Sequence, residues 1–71
     1  MSARQFLARE IRLARETKRI SRAALGKALF VSGELVAAWE TGRSIPRPEH
    51  LASMIGLLDF RPEIVSRLLD E

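Results

Sequence analysis

Few side chains in this sequence are equipped for chemistry, and most of those are cationic. Arg22 and Lys27 share one short stretch, Arg43, Ser44 and Arg47 share a later polar loop, and Ser21 and Ser32 stand where helices would begin. Guanidinium, ammonium and hydroxyl groups beside the unsatisfied N–H groups of helix starts are suited to holding phosphate oxygens. They are not suited to bond cleavage. No nucleophile–base pair, metal-ligand cluster or phosphate-cradling glycine loop is present, so an enzyme is not expected. There is no cysteine, which removes disulfides and thiolate metal sites. The one histidine, His50, lacks partner ligands at metal spacing and reads as a solvated residue at a helix start. Neither a metal nor a cofactor is expected.

The charge is distributed unevenly. The net charge is +3, but residues 1–29 hold eight Lys or Arg against two Glu, and residues 30–71 hold four Arg against seven Asp or Glu. Such asymmetry points to an anionic partner for one face, the plain alternative being a solvated helix face. At 71 residues the chain is one small domain, so helix caps and close packing must matter. The polar, charged N-terminus shows no signal peptide, and no apolar run approaches the ~20 residues of a membrane span. The expectation is a soluble cytoplasmic protein with no membrane partner.

The cations must be positioned by helices. Ser21 to Gly42 reads as two short helices about a tight turn, near 22–29 and 33–40, capped by Ser21 and Ser32. Leu25, Ala28 and Leu29 mark the inner face of the first, and Leu35, Val36 and Trp39 that of the second. Gly42 sits where a helix end favours a left-handed residue. This is the helix-turn-helix pattern. Before it, Ser2 and Gln5 have capping-box spacing for a helix near 3–18. That helix has an apolar stripe of Leu7, Ile11 and Ala14 flanked by Phe6 and Leu13, with Arg4, Arg9, Arg12, Lys18 and Arg19 on the opposite side. Ile20 is placed as a hydrophobic staple. After the motif, Pro48 and Pro62 suit first helical positions of helices near 48–58 and 62–70. The fourth helix is expected to bury Leu51, Met54, Ile55 and Leu58. The fold class is all-α, five helices, around a core of Leu7, Ile11, Leu25, Leu29, Val36, Trp39, Leu51 and Ile55.

Across residues 11–48 the chain resembles the Cro/lambda-repressor, or XRE, type of helix-turn-helix domain. The matching pieces are IR..R at 11–15, IS at 20–21, AL at 24–25, VS at 31–32 and V..WE.GR..P at 36–46. Within that family it is most similar to an actinobacterial regulator branch in which SG.LV..(I/W)E.GR..P recurs. The resemblance implies a five-helix lambda-repressor-like domain, double-stranded DNA in the major groove under the third helix, and commonly a two-fold dimer. It implies that Arg15 and Glu40 form the pair tying the first helix to the end of the third. It also implies that Arg22 touches the DNA backbone and that Gly33, Glu34, Leu35, Ala37 and Ala38 take the positions that read bases. Beside the resemblance, a second helix laid in the major groove brings Ser32, Arg43, Ser44 and Arg47 towards phosphates, with Lys27 either a further contact or an ordinary exposed lysine.

Two departures from the family stand out. Phe30 occupies a turn position where the family usually has Gly. Either it takes a positive φ at a cost of roughly 1 kcal/mol or more, or it offers an aromatic edge to the core or to a partner. The reading positions are also poor in donors and acceptors, Glu34 excepted, whereas base edges are read by groups such as Arg, Gln or Asn. Two functions therefore stay open. One is a transcriptional regulator domain whose hold on DNA is dominated by phosphate. The other is a protein-interaction module on the same scaffold, working with a small partner protein. Val65, Leu68 and Leu69 of the fifth helix offer a surface for a homodimer or such a partner. The chain is also readable as the N-terminal part of a longer regulator.

Overall fold

The computed structural model describes residues 2–59, which form α1 (Ala3–Thr17), α2 (Arg22–Leu29), α3 (Gly33–Glu40) and α4 (Pro48–Leu58). Among the described residues the fold is all-α, with four helices. The fifth helix expected over 62–70, with Val65, Leu68 and Leu69, lies outside the described residues.

Each helix starts where its side chains provide a start. Ser2 Oγ accepts from the Gln5 amide at 3.1 Å and Gln5 Oε1 accepts from the Ser2 amide, completing the capping box of α1. Ser21 and Ser32 accept from Ala24 and Leu35 amides, each at 3.0 Å. Pro48 begins α4, where its missing N–H leaves nothing unsatisfied.

The helix ends are less obvious from the residues. The first three helices all close with the same pair of reversed hydrogen bonds. Arg19 and Ile20 amides donate to the carbonyls of Glu16 and Arg15, Phe30 and Val31 to Lys27 and Gly26, and Gly42 and Arg43 to Trp39 and Ala38. This Schellman arrangement needs a left-handed residue. Those residues are Arg19 (φ 58°), Phe30 (φ 60°) and Gly42 (φ 77°), and only the last is a glycine. Phe30 thus takes the positive-φ alternative. It makes no core contact and is 95% exposed.

The core is a continuous cluster of Leu7, Ile11, Leu25, Leu29, Val36, Trp39, Leu51, Met54 and Leu58. Ile55 is only partly buried and packs on its edge, because Met54 and Leu58 take the inward positions of α4. Ala28 is exposed, so the buried side of α2 is formed by Leu25, Gly26 and Leu29. The α1 arginines are also arranged differently from the simple two-sided reading. At 3.6 residues per turn, Arg4 and Lys18 fall on the same meridian as Leu7, Ile11 and Arg15. Lys18 accordingly pairs with Asp59 at the end of α4. Arg4 lies beside the backbone at Gly42, its Cγ 3.9 Å from where a β-carbon on that glycine would stand. Arg19 lies in the turn rather than on the helix.

Two glycines set how closely α2 and α3 approach. A β-carbon on Gly26 would meet the Val31 carbonyl oxygen at 2.7 Å, and one on Gly33 would meet Ala23 Cα at 3.2 Å. Gly33, at the first turn of α3, is therefore a packing residue between the two helices of the motif. His50 is not the solvated residue expected. It is half-buried, with its ring centroid 5.3 Å from that of Trp39, and its Nδ1 is buried without a hydrogen-bond partner among the described residues.

Candidate nucleic-acid interface

The most tightly built polar cluster joins α1, α2 and the end of α3. Glu40 is buried, with 0% of its side chain exposed. Its Oε2 accepts from Arg15 Nε at 2.6 Å, and its Oε1 accepts from Arg15 Nη2 at 3.1 Å and from Arg22 Nε at 3.0 Å. Arg15 also donates from Nη1 to the Ile20 carbonyl at 2.8 Å. A carboxylate this deep is tolerated because both of its oxygens accept from charged donors, three bonds in all. The bond to Glu40 raises the Arg15 pKa above the usual arginine value, outweighing the opposing effect of burial.

The expected Arg15–Glu40 pair is present, and Arg22 is a third member that the sequence reading did not place there. Residues 15, 22 and 40 come from three helices, and nothing in their spacing signals that they meet. Arg22, expected near the DNA backbone, is tied by one nitrogen to a buried acid while 44% of its side chain remains exposed.

The loop after α3 is held just as firmly from its backbone. The Ala38 carbonyl accepts from the amides of Arg43 and Ser44 at 3.0 and 3.3 Å and from Thr41 Oγ1 at 3.3 Å. These bonds fold residues 42–44 back onto the helix end, leaving the Arg43 side chain exposed and Ser44 half-buried. Arg47 is exposed and caps α4 with its backbone alone, so its side chain is not used in the cap. Among the described residues neither Arg43 nor Arg47 has an ion-pair partner. Lys27 is exposed on the side of α2 away from Leu25 and Leu29. Ser32 spends its hydroxyl on the cap of α3.

The outward side of α3 is chemically bare. Glu34 is exposed, Ala37 and Ala38 are half-exposed, and Leu35 leans onto the core. Thr41 continues this side at its C-terminal end, but its hydroxyl donates to the Ala37 and Ala38 carbonyls at 3.0 and 3.3 Å. The only charged reading group is a carboxylate, which accepts from cytosine amino groups and repels phosphates.

This geometry has two short helices crossing through a tight turn, glycines at their contact and cations around the second. It is that of a motif that lays its second helix in the major groove. Among the described residues no group of His, Cys, Asp and Glu is arranged to hold a metal ion, and no helix is long and apolar enough to cross a membrane. No curated protein and no solved structure matches the chain. A family model described as a helix-turn-helix domain matches residues 7–68. The chain belongs to this XRE-like helix-turn-helix family, a non-enzymatic family whose members bind DNA and regulate transcription.

Proposed function

We propose that this domain holds duplex DNA mainly through phosphate contacts and reads few base edges directly. The observation that carries this is the contrast within one motif. Arg22, Arg43 and Arg47 keep exposed guanidinium groups around it, whereas Glu34, Ala37 and Ala38 form the side of α3 that would enter the groove, and Gly33 is taken up by its packing on α2. Lys27 and Ser44 add polar contact at the edges, and Ser32 directs the N-terminus of α3 towards a phosphate through its cap. What sequence preference there is then comes from DNA shape, from Glu34, or from Arg22 at the groove edge.

Phosphate binding releases counterions. Log affinity for a mixed-sequence duplex is therefore expected to fall with log salt at about −0.9 per phosphate neutralised. Arg43→Ala or Arg47→Ala weakens all duplexes alike and flattens that slope by about one unit per lost contact. The reading is overturned if one operator is preferred over random duplex by ~10³-fold or more while Arg43 and Arg47 prove dispensable.

A protein-interaction role on the same scaffold is favoured by one observation, the nearly full exposure of Phe30 at the turn of the motif. It predicts that Phe30→Ala abolishes capture of a partner without touching DNA affinity. The closer kinship with the actinobacterial branch, a small partner protein and a two-fold dimer through Val65, Leu68 and Leu69 complete the proposal. Sedimentation of the wild type against Leu68→Glu tests the dimer, the variant being the monomer if the surface is used.

A further inference from the structure

We propose that Glu40 is a positioning residue for DNA binding. It holds Arg22 by the Nε–H and leaves the outer edge of that guanidinium set to clamp a phosphate. This rests on the reading of the face around α3 as the duplex-binding one.

The two arginines on Glu40 are used differently. Arg15 engages all three of its nitrogens inside the protein, and only 12% of its side chain is exposed, so it has no edge left for a ligand. Arg22 engages Nε alone, at 3.0 Å, and 44% of its side chain is exposed. Among the described residues Nη1 and Nη2 of Arg22 have no partner. A guanidinium is planar, so fixing its Nε–H on one acceptor also fixes the direction in which the two terminal nitrogens point. Those nitrogens form the fork that binds a phosphate through two parallel hydrogen bonds. Arg22 is moreover the first residue of α2, at the helix end whose free amides favour an anion. The long side chain would otherwise have to be ordered by the ligand itself, which weakens binding. The buried carboxylate orders it beforehand.

Lysine separates positioning from charge. Its single ammonium cannot bond Glu40 and present a second, oriented edge at once. The experiment is a salt titration of binding to a mixed-sequence duplex, read by fluorescence anisotropy, for Arg22→Ala, Arg22→Lys, Arg43→Ala and Arg43→Lys. Thermal melting of each variant confirms folding, since all four keep the Arg15–Glu40 bonds. Arg22→Ala is expected to flatten the log–log slope by about one unit, and Arg22→Lys to flatten it nearly as much. At position 43, where no acid holds the side chain, Lys should recover most of what Ala loses. Recovery by Lys at position 22 as complete as at 43 would show that charge suffices and overturn the positioning role. An unchanged slope for Arg22→Ala beside a flattened one for Arg43→Ala would take Arg22 off the DNA and leave the phosphate reading standing. Unchanged slopes for both alanine variants would overturn the phosphate reading and the inference together.

Discussion

At its C-terminal end α3 buries Trp39 and Glu40, and Glu40 alone receives three charge-assisted hydrogen bonds from two other helices. Along the outward side of the same helix, Glu34, Ala37 and Ala38 present a single charged group. The inner end is over-determined and the outer side is almost blank. Helix position is thus set by interactions that do not involve the ligand, so the reading side is free to vary without loss of fold.

The comparison breaks most completely if the buried end is dismantled. Glu40→Ala leaves Arg15 without its partner at a site where both are nearly enclosed, and removing one member of a buried pair costs about 3–5 kcal/mol. Urea denaturation should show most of the stability of so small a domain lost. A midpoint equal to the wild type's, for this variant or for Glu40→Gln, would mean that the cluster is energetically idle. A smaller loss is expected from Gly26→Ala, whose β-carbon would enter the space of the Val31 carbonyl at 2.7 Å. Overpacking of this kind costs about 1–3 kcal/mol. The control is Gly56→Ala, in α4 with nothing among the described residues within 4 Å of the new β-carbon, which should stabilise the domain by about 0.5–1 kcal/mol. Equal responses at the two glycines would contradict the close approach of the α2–α3 turn.

Phe30→Gly addresses the turn itself. It removes a side chain that touches little and relieves a left-handed backbone, so a gain of roughly 1 kcal/mol in stability is expected. A loss instead would show that the exposed ring makes contacts of its own. The smallest effect on stability is expected at the blank side. If α3 enters the groove as proposed, Ala38→Gln offers a donor and an acceptor to base edges, and a panel of duplexes should then show a preference for adenine at one position, where the wild type is expected to show none. A variant with no altered preference would place Ala38 outside the groove.

Most of the local architecture was legible in the residues. Serine caps, the capping box, Pro48 and the 3.6-residue apolar spacing located all four described helices to within one residue, because each signal acts over a single turn. The charge imbalance was legible too, since composition alone displays it, whereas the poverty of the base-reading positions was legible only through the family resemblance that implies which positions those are. Helix ends were harder. Arg19 and Phe30 take left-handed conformations that their residue types disfavour, because the reversed hydrogen bonds and the crossing of the following helix outweigh a local strain of about 1–2 kcal/mol. His50 looked solvated because nothing nearby in sequence covers it, and Trp39 covers it from another helix.

What the sequence by itself determined, then, is the set of helices, their inner faces and the kind of ligand their charges suit, all of which follow from short-range rules. Apart from the Arg15–Glu40 pair, which the family resemblance implied, only the tertiary structure decided which cations meet which acid. Arg4, Arg15 and Lys18 share one meridian of α1, yet Arg15 alone reaches Glu40, Lys18 reaches Asp59 and Arg4 lies beside Gly42. Arg22 joins the same carboxylate from a helix whose sequence gives no hint of it. Such pairings depend on the angle and depth at which helices pack. Those are set by the whole core at once, including the room that Gly26 and Gly33 leave between α2 and α3, and by no single stretch of chain.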